Sequence, residues 1–472
     1  MKMPVRTGCG PHINYSNGVT SFTMSNNRSI NMLEGSLWDK LLLFALPLAA
    51  SSSLQQFFNA ADVAVVGNFA GSNSLAAVGA NSALINLMIN LFTGLSLGSN
   101  VVIAHLLGQK KEEAASRAIH TAILVALISG IFLALLGQIV ASPVLTLMDT
   151  PADILPKAVI YFRIYFLGMP FFMLYNFSAS ILRAKGDTRR PLYVLAFSGT
   201  VNIVLNLFFV IVCKMDVAGV ALATLISNGI SSMTLIFLLT REEGIFHLDF
   251  KKLRIDFSQL MKIAQIGIPT GVQGMMFSFS NVILQSSLNA LGASAMAASS
   301  ASLNFEYLAF FMLNAFTQAG MTFVSQNYGA GNRKRCRRVI LTCFVLDELF
   351  SVGLCLIFIL FKGPFAGIFS SDSEIIALAG VRMTIILGFE FLNVGIDYFS
   401  GIMRSVGHAL LPALISVGGI CGIRLLLIFT WYPTDPGYNH LMYVYPISWV
   451  FTLAAMLIAF FLIAVKVLRD PE

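Results

Sequence analysis

Leu182-Arg183-Ala184-Lys185-Gly186-Asp187-Thr188-Arg189-Arg190-Pro191 closes one apolar stretch and opens the next, and Met403-Arg404-Ser405-Val406-Gly407-His408-Ala409-Leu410-Leu411-Pro412 does the same in the second half of the chain. Arg, Gly and Pro keep their places in both copies, Arg183, Gly186 and Pro191 answering to Arg404, Gly407 and Pro412 at one constant offset. Gly71 with Gly292, Leu75-Ala76-Ala77 with Met296-Ala297-Ala298, Gly108 with Gly329, and Arg117 with Arg338 hold that same offset. Pro47 with Pro269 and Asn59 with Asn281 stand one position farther apart, so one residue was gained or lost between these anchors. A period this long is half a protein rather than a solenoid unit, and the chain is a duplication.

What each half contains follows from composition. The chain is 57% hydrophobic and 11% charged, against roughly 25% charged in soluble domains. Apolar spans of membrane length read near 39–66, 75–103, 117–140, 158–181, 191–213 and 217–240, then near 260–288, 295–325, 338–361, 375–402, 410–430 and 441–465. The fold class is therefore an all-α polytopic membrane protein of twelve transmembrane helices in two six-helix repeats. Six is even, so both halves enter the bilayer in the same sense, related by a pseudo-twofold along the membrane normal. The expected division is a disordered tail 1–36, an N-lobe 37–240, a cytoplasmic linker 241–259, and a C-lobe 260–472 with a short cytoplasmic tail.

A net charge of +7 invites a nucleic-acid reading, but topology absorbs it. With both termini cytoplasmic, the inner loops and C-terminal tail carry 20 Lys and Arg, and the outer loops only Lys157, Lys214 and Lys362. That is the positive-inside bias, and no nucleic-acid partner is expected. Residues 1–36 are rich in Asn, Ser, Gly and Thr, lack a signal-peptide core, and contain Met24 and Met32 as alternative starts. Segment 241–259 reads as a plain connector, and Trp431, Tyr432, Tyr438, Tyr443, Tyr445 and Trp449 read as an interfacial aromatic belt. The cysteines form no Cys-x-x-Cys pair, the histidines have no metal-ligand spacing, and no phosphate loop is present. The expectation is a protein that is not an enzyme and has no cofactor.

Chemistry concentrates in polar stripes inside the spans. Ser52, Gln55, Asn59 and Asp62 are spaced 3, 4 and 3, which puts them on one helical face. Apart from Asp39 at the very start of the first span, Asp62 is the only acid inside the first six spans, and a carboxylate in hydrocarbon needs a partner or a wet cavity. Asn202 with Asn206, and Thr224 with Asn228, each at i, i+4, are positioned to face it. Carboxylate, amide and hydroxyl oxygens suit a hard cation such as Na⁺, and a lone carboxylate suffices for H⁺; the amides serve equally as glue between helices. In the second half Glu390, Asn393, Asp397, Ser400 and Arg404 form a continuous face, joined by Glu306 with Ser302 and by Ser278, Asn281 and Gln285. These acids either wall a cavity that attracts organic cations or pair internally with Arg382 or Arg424. Met275, Met276, Phe277, Phe279, Phe305, Tyr307, Phe310, Phe311 and Met312 are adaptable side chains that suit a promiscuous pocket or the lipid face.

Several blocks resemble the multidrug and toxic compound extrusion (MATE) family from about residue 37 to residue 467. They are Asp62-Val63-Ala64-Val65-Val66-Gly67 leading to Ala76-Ala77-Val78-Gly79, Gly94-Leu95-Ser96-Leu97-Gly98 with His105-Leu106-Leu107-Gly108, Arg183-x-x-Gly186-Asp187-Thr188 with Pro191, and Asn202-Ile203-Val204-Leu205-Asn206. The resemblance implies an antiporter in the bacterial cytoplasmic membrane, monomeric and surrounded by lipid, that expels cationic amphipathic compounds in exchange for Na⁺ or H⁺ by alternating access. It maps the N-lobe cation site onto Asp62, Asn202, Asn206 and Thr224, with a backbone oxygen near Val220. Many relatives have Asp where Asn206 stands, so this site carries one negative charge, which favours H⁺ or weaker Na⁺ coordination. C-lobe acids used in one branch fall here on Phe277 and Asn393, neither acidic. Substrate-cavity candidates are Gln55, Asn59, Glu306, Glu390, Asn393, Asp397, Asn281 and Met276. The alternative reading is a flippase for a lipid-linked or amphipathic metabolite.

Overall fold

The computed structural model describes residues 29–148 and 150–468, and every regular element among them is a helix. The first half comprises α1 (Trp38–Val65), prolonged by a π-segment at Val66–Ala70, then α2 (Ser72–Gly108), α3 (Glu112–Leu147), α4 (Leu155–Leu167), α5 (Met169–Lys185), α6 (Arg189–Leu207) and α7 (Asp216–Thr240). The second comprises α8 (Phe257–Asn289), α9 (Ala293–Gly329), α10 (Arg333–Leu360), the short α11 (Lys362–Gly367), α12 (Ser373–Gly388), α13 (Glu390–Ser405), α14 (Leu410–Ser416), α15 (Arg424–Thr430) after a second π-segment at Val417–Ile423, and α16 (Tyr438–Val467). Large apolar side chains such as Ile139, Leu360 and Leu462 are at least 70% exposed on the outer surface, as a bilayer requires.

Among the described residues nine helices are long and apolar enough to cross a membrane, and two bent pairs bring the number to eleven. The twelfth is α8, whose 33 residues include Gln259, Gln273, Ser278, Ser280, Asn281 and Gln285, which lower its hydropathy. Twelve spans in two repeats is the architecture. The bent pairs repeat too: α4 meets α5 at 44° around Gly168, and α12 meets α13 at 40° around Phe389, the position in register with Gly168. The opening motif has a backbone reason as well. Gly186 (φ 101°) and Gly407 (φ 92°) end α5 and α13 in left-handed conformation. Asp187 N donates to Leu182 O, and His408 N to Met403 O, both at 2.9 Å. This is the Schellman stop, which favours Gly for lack of a Cβ.

The lobes meet along α2 and α8. A Cβ on Gly94 would lie 2.4 Å from Gly271 N, and one on Gly271 would lie 2.2 Å from Leu91 O. Gly94 with Gly98 therefore packs on Gly267 with Gly271, two small-xxx-small faces in backbone contact. Asn100 Oδ1 accepts from Thr322 Oγ1 at 3.0 Å, and Arg183 Nη1 donates to Gln318 Oε1 at 3.0 Å. These contacts lie toward the end that carries the basic loops, where the seam is closed.

The repeats are not the packing units. Leu41, Phe44, Ala45 and Leu48 of α1 belong to the C-lobe core, with the Phe44 and Phe323 rings 5.5 Å apart. Farther along α1, the Phe58 ring presses on Gly199 of α6. Ile263 and Ile266 of α8 in turn join the N-lobe core. Each half thus lends the start of its first helix to the other.

The expected disordered tail lies mostly outside the described residues, but its last stretch is bound, which corrects the expectation for residues 30–36. Met32 is buried, and its carbonyl accepts from Asn327 Nδ2 and Arg335 Nε, each at 3.1 Å. Arg335 also donates to Gly35 O and Glu34 O, and Ile30 N donates to Gly186 O. Backbone carbonyls hold this segment, and they leave no mark in composition. The connector after α7 is likewise anchored: Phe246 and Leu248 are buried, and Glu242 bridges Lys185 and Arg190.

Candidate functional site

Helical spacing delivers Asp62 to the amides predicted for it. Asn202 and Asn206, one turn apart on α6, and Thr224 on α7 converge on the half-buried carboxylate. Asn206 Nδ2 donates to Asp62 Oδ1, and Thr224 Oγ1 lies 3.4 Å from Oδ2. Asn206 Nδ2 also donates to Asn202 Oδ1 at 3.2 Å, and Thr224 Oγ1 to Val220 O at 3.0 Å. Ser227, absent from the sequence reading, closes the ring by accepting from Asn202 Nδ2 at 3.4 Å. Asn228 enters no hydrogen bond to Asp62.

One atom in this ring is unsatisfied. Asn206 Oδ1 is buried with no partner among the described residues. Turned over, the amide would aim that oxygen at the carboxylate, an arrangement stable only with a proton or cation between them. The oxygens within reach are then those of Asp62, Asn202, Asn206, Thr224 and Val220, a donor set for a hard cation.

Between the lobes lies a cavity of about 540 Å³, with Gln56, Asn59, Asn86 and Asn90 on one wall and Phe277, Ser278, Asn281, Glu306, Glu390, Asn393, Arg424, Tyr445 and Trp449 among those on the other. Of the expected cavity residues, Asn59, Asn281, Glu306, Glu390 and Asn393 line it. Gln55, Met276 and Asp397 do not; Gln56 takes the place expected of Gln55, one position round the helix. Phe277, Tyr307, Phe310 and Phe311 line it rather than facing lipid.

One expectation about this wall needs correcting. Tyr445 and Trp449 are cavity residues, not belt anchors, because α16 begins at Tyr438 and carries them a turn or more into the span. Of the two readings of the acids, internal pairing holds for Glu306. Arg382 clamps Glu306 through Nε at 2.7 Å and Nη2 at 2.9 Å, and Ser302 Oγ donates to the same carboxylate at 2.7 Å. Glu390 accepts from Asn393 at 2.8 Å, and Arg424 adds a positive charge. Among the described residues no group of three or more His, Cys, Asp and Glu is arranged for a metal.

The MatE family model matches residues 47–208 and again 269–430. The probable multidrug resistance protein YoeA of Bacillus subtilis (strain 168) is 27% identical over 404 residues, 84% of this chain and 87% of that protein. The probable multidrug resistance protein NorM of Thermotoga maritima is 26% identical over 394 residues, 83% of this chain and 84% of that protein. A solved structure described as the outward-facing conformation of a multidrug resistance MATE family transporter superposes with a TM-score of 0.85 at 20% identity, over 92% of this chain and 97% of that one. Matched in both halves at the spacing of its own duplication, the chain belongs to the MatE family and is a multi-pass membrane transporter, not an enzyme.

Proposed function

We propose that this protein is a secondary antiporter that expels cationic, amphipathic compounds in exchange for H⁺ or Na⁺. Its place is the cytoplasmic membrane of a bacterial cell, as a single chain in lipid, with both termini and the basic loops inside. The names of its relatives support drug efflux, and the charge asymmetry of the loops supports the orientation. In that orientation the closed seam faces the cytoplasm and the cavity opens outward.

The observation that carries coupling is the path of α1. Its first half is built into the C-lobe core, and its second half brings Asp62 to Asn202, Asn206 and Thr224 of the N-lobe. A cation or proton arriving from outside neutralises Asp62 and lets the Asn206 amide turn its orphan oxygen inward. This changes how tightly the far half of α1 is held. Because the near half belongs to the other lobe, occupancy biases one lobe arrangement over another. A membrane potential of 100 mV contributes about 2.3 kcal/mol for each net charge moved inward per cycle; one-for-one exchange of monovalent cations moves none and is driven by the ion's concentration gradient alone. With one carboxylate in the ring, H⁺ or weakly held Na⁺ is the expected ion.

The test is dye export by purified protein in proteoliposomes, with inward Na⁺ and H⁺ gradients imposed separately. At least one gradient should accelerate export of a cationic dye. Indifference to both removes the antiport reading.

A further inference from the structure

Arg424 opens α15, immediately after the π-segment, and lines the cavity although only 3% of its surface is exposed. Its Nη1 donates to Asn281 Oδ1 at 3.1 Å and to Ser280 Oγ at 3.5 Å. Its face lies 4.6 Å from the centroid of Tyr445, and the same ring carries Arg382 at 5.5 Å. The Nε–H, also buried, has no partner among the described residues.

No carboxylate among the described residues pairs with this guanidinium. Glu306 is held by Arg382 through two hydrogen bonds, and Glu390 is bonded to Asn393. A charge inside a membrane protein is retained where an opposite charge is supplied, and here the protein supplies none to Arg424. The guanidinium is planar, with its donors fixed in a fork that fits a carboxylate, and one buried donor of that fork is free. Glu390 stands in the converse state, a carboxylate lining the same cavity with an amide for its only bonded neighbour among the described residues.

We propose that Arg424, with Asn281 and Tyr445 holding it, is an anion subsite of the transport cavity, and that the cavity takes zwitterionic aromatic compounds whose carboxylate docks on Arg424 while their cationic group lies toward Glu390. This rests on the reading of the cavity as the substrate path and narrows the substrate class within it. The aromatic body of such a compound has Phe277, Tyr307 and Trp449 to pack against.

The experiment compares two dyes that share a chromophore: rhodamine B, a zwitterion with a free carboxylate, and its ethyl ester, a plain cation. Affinities for the purified full-length protein are measured by fluorescence anisotropy at neutral pH. The unaltered protein should bind the acid on the order of tenfold more tightly than the ester, the worth of a charge-assisted hydrogen bond. Arg424→Gln should abolish that preference by weakening the acid relative to the ester, and an unchanged unfolding temperature of the same preparation reports that the fold persists. Asn281→Asp, which gives the guanidinium a carboxylate of its own, should abolish it without removing the arginine. Equal affinities of the unaltered protein for the two dyes, or a preference that survives both substitutions, overturns the subsite and leaves the antiport reading standing. Failure of both dyes to bind overturns the two together.

Discussion

In the first half of the molecule Asn202 on α6 and Thr224 on α7 surround an acid, Asp62, that has no fixed counter-charge among the described residues; in the second half α15 and α16 bring Arg424 against Tyr445, the position in register with Thr224. The position in register with Asp62 itself is Leu284, which is 2% exposed. On the proposed reading, the N-lobe leaves room for a cation that comes and goes, while the C-lobe builds one into the chain as Arg424 and has a core leucine in place of the acid. The duplication would then have divided the labour at these matched positions: exchangeable charge on one side, permanent charge on the other. Coupling should be confined to the N-lobe, consistent with the non-acidic Phe277 and Asn393 at the two C-lobe positions implied by resemblance.

The sharpest way to break this comparison is to disturb the permanent charges. Arg382→Met leaves Glu306 inside the protein without its counter-ion, and should cost about 3–5 kcal/mol of stability. Combining it with Glu306→Gln should recover most of that loss, measured by unfolding in detergent. Asn206→Asp tests the exchangeable side by adding a second carboxylate to the ring. It should raise Na⁺ affinity on the order of tenfold, because ligand charge sets the affinity of oxygen sites for hard cations. Isothermal titration with Na⁺ would show it.

Smaller effects separate the two copies of the opening motif. Gly186→Ala and Gly407→Ala both force alanine into left-handed backbone, at about 1 kcal/mol each. At Gly186 the new Cβ would also lie 2.6 Å from Ile30 O, whereas at Gly407 it meets nothing within 4 Å. Thermal unfolding should show the larger loss at Gly186. The smallest effect belongs to Glu242. Burial alone would raise its pKa, but the hydrogen bonds and charges of Lys185 and Arg190 outweigh burial and hold it below its ordinary 4.5. Its stabilisation is complete above that value and is lost as pH falls through the lower, folded-state value. Glu242→Gln should flatten the acid limb of stability against pH, by no more than about 1 kcal/mol.

The duplication, the parallel repeats and the ring around Asp62 are legible in the chain because each rests on a spacing that a helix converts directly into a face. Asn202 and Asn206 at i, i+4 can only point the same way, and Asp62 singles itself out as the one acid deep inside the first six spans. The cavity is half legible. Gln55 and Gln56 differ by about 100° round a helix, and periodicity anchored on Asp62 selects the wrong one. Glu306 and Arg382 are far apart in the chain, and Arg424 is an equally good partner until α9, α12 and α15 are in place. Tyr445 and Trp449 fall into an aromatic belt on paper because the start of α16 is not evident from composition. The segment at 30–36 escapes for another reason: it is held by its backbone carbonyls, which every residue possesses.

Under the proposed antiport the ion acts on Asp62, in the far half of α1. The most direct test is gradient-driven dye export by Asp62→Asn beside the unaltered chain in proteoliposomes, with dye binding at equilibrium as a control for folding. The variant should still bind dye, within about twofold, and neither a Na⁺ nor an H⁺ gradient should accelerate its export. Export by Asp62→Asn at the unaltered rate under the same gradients would contradict this reading.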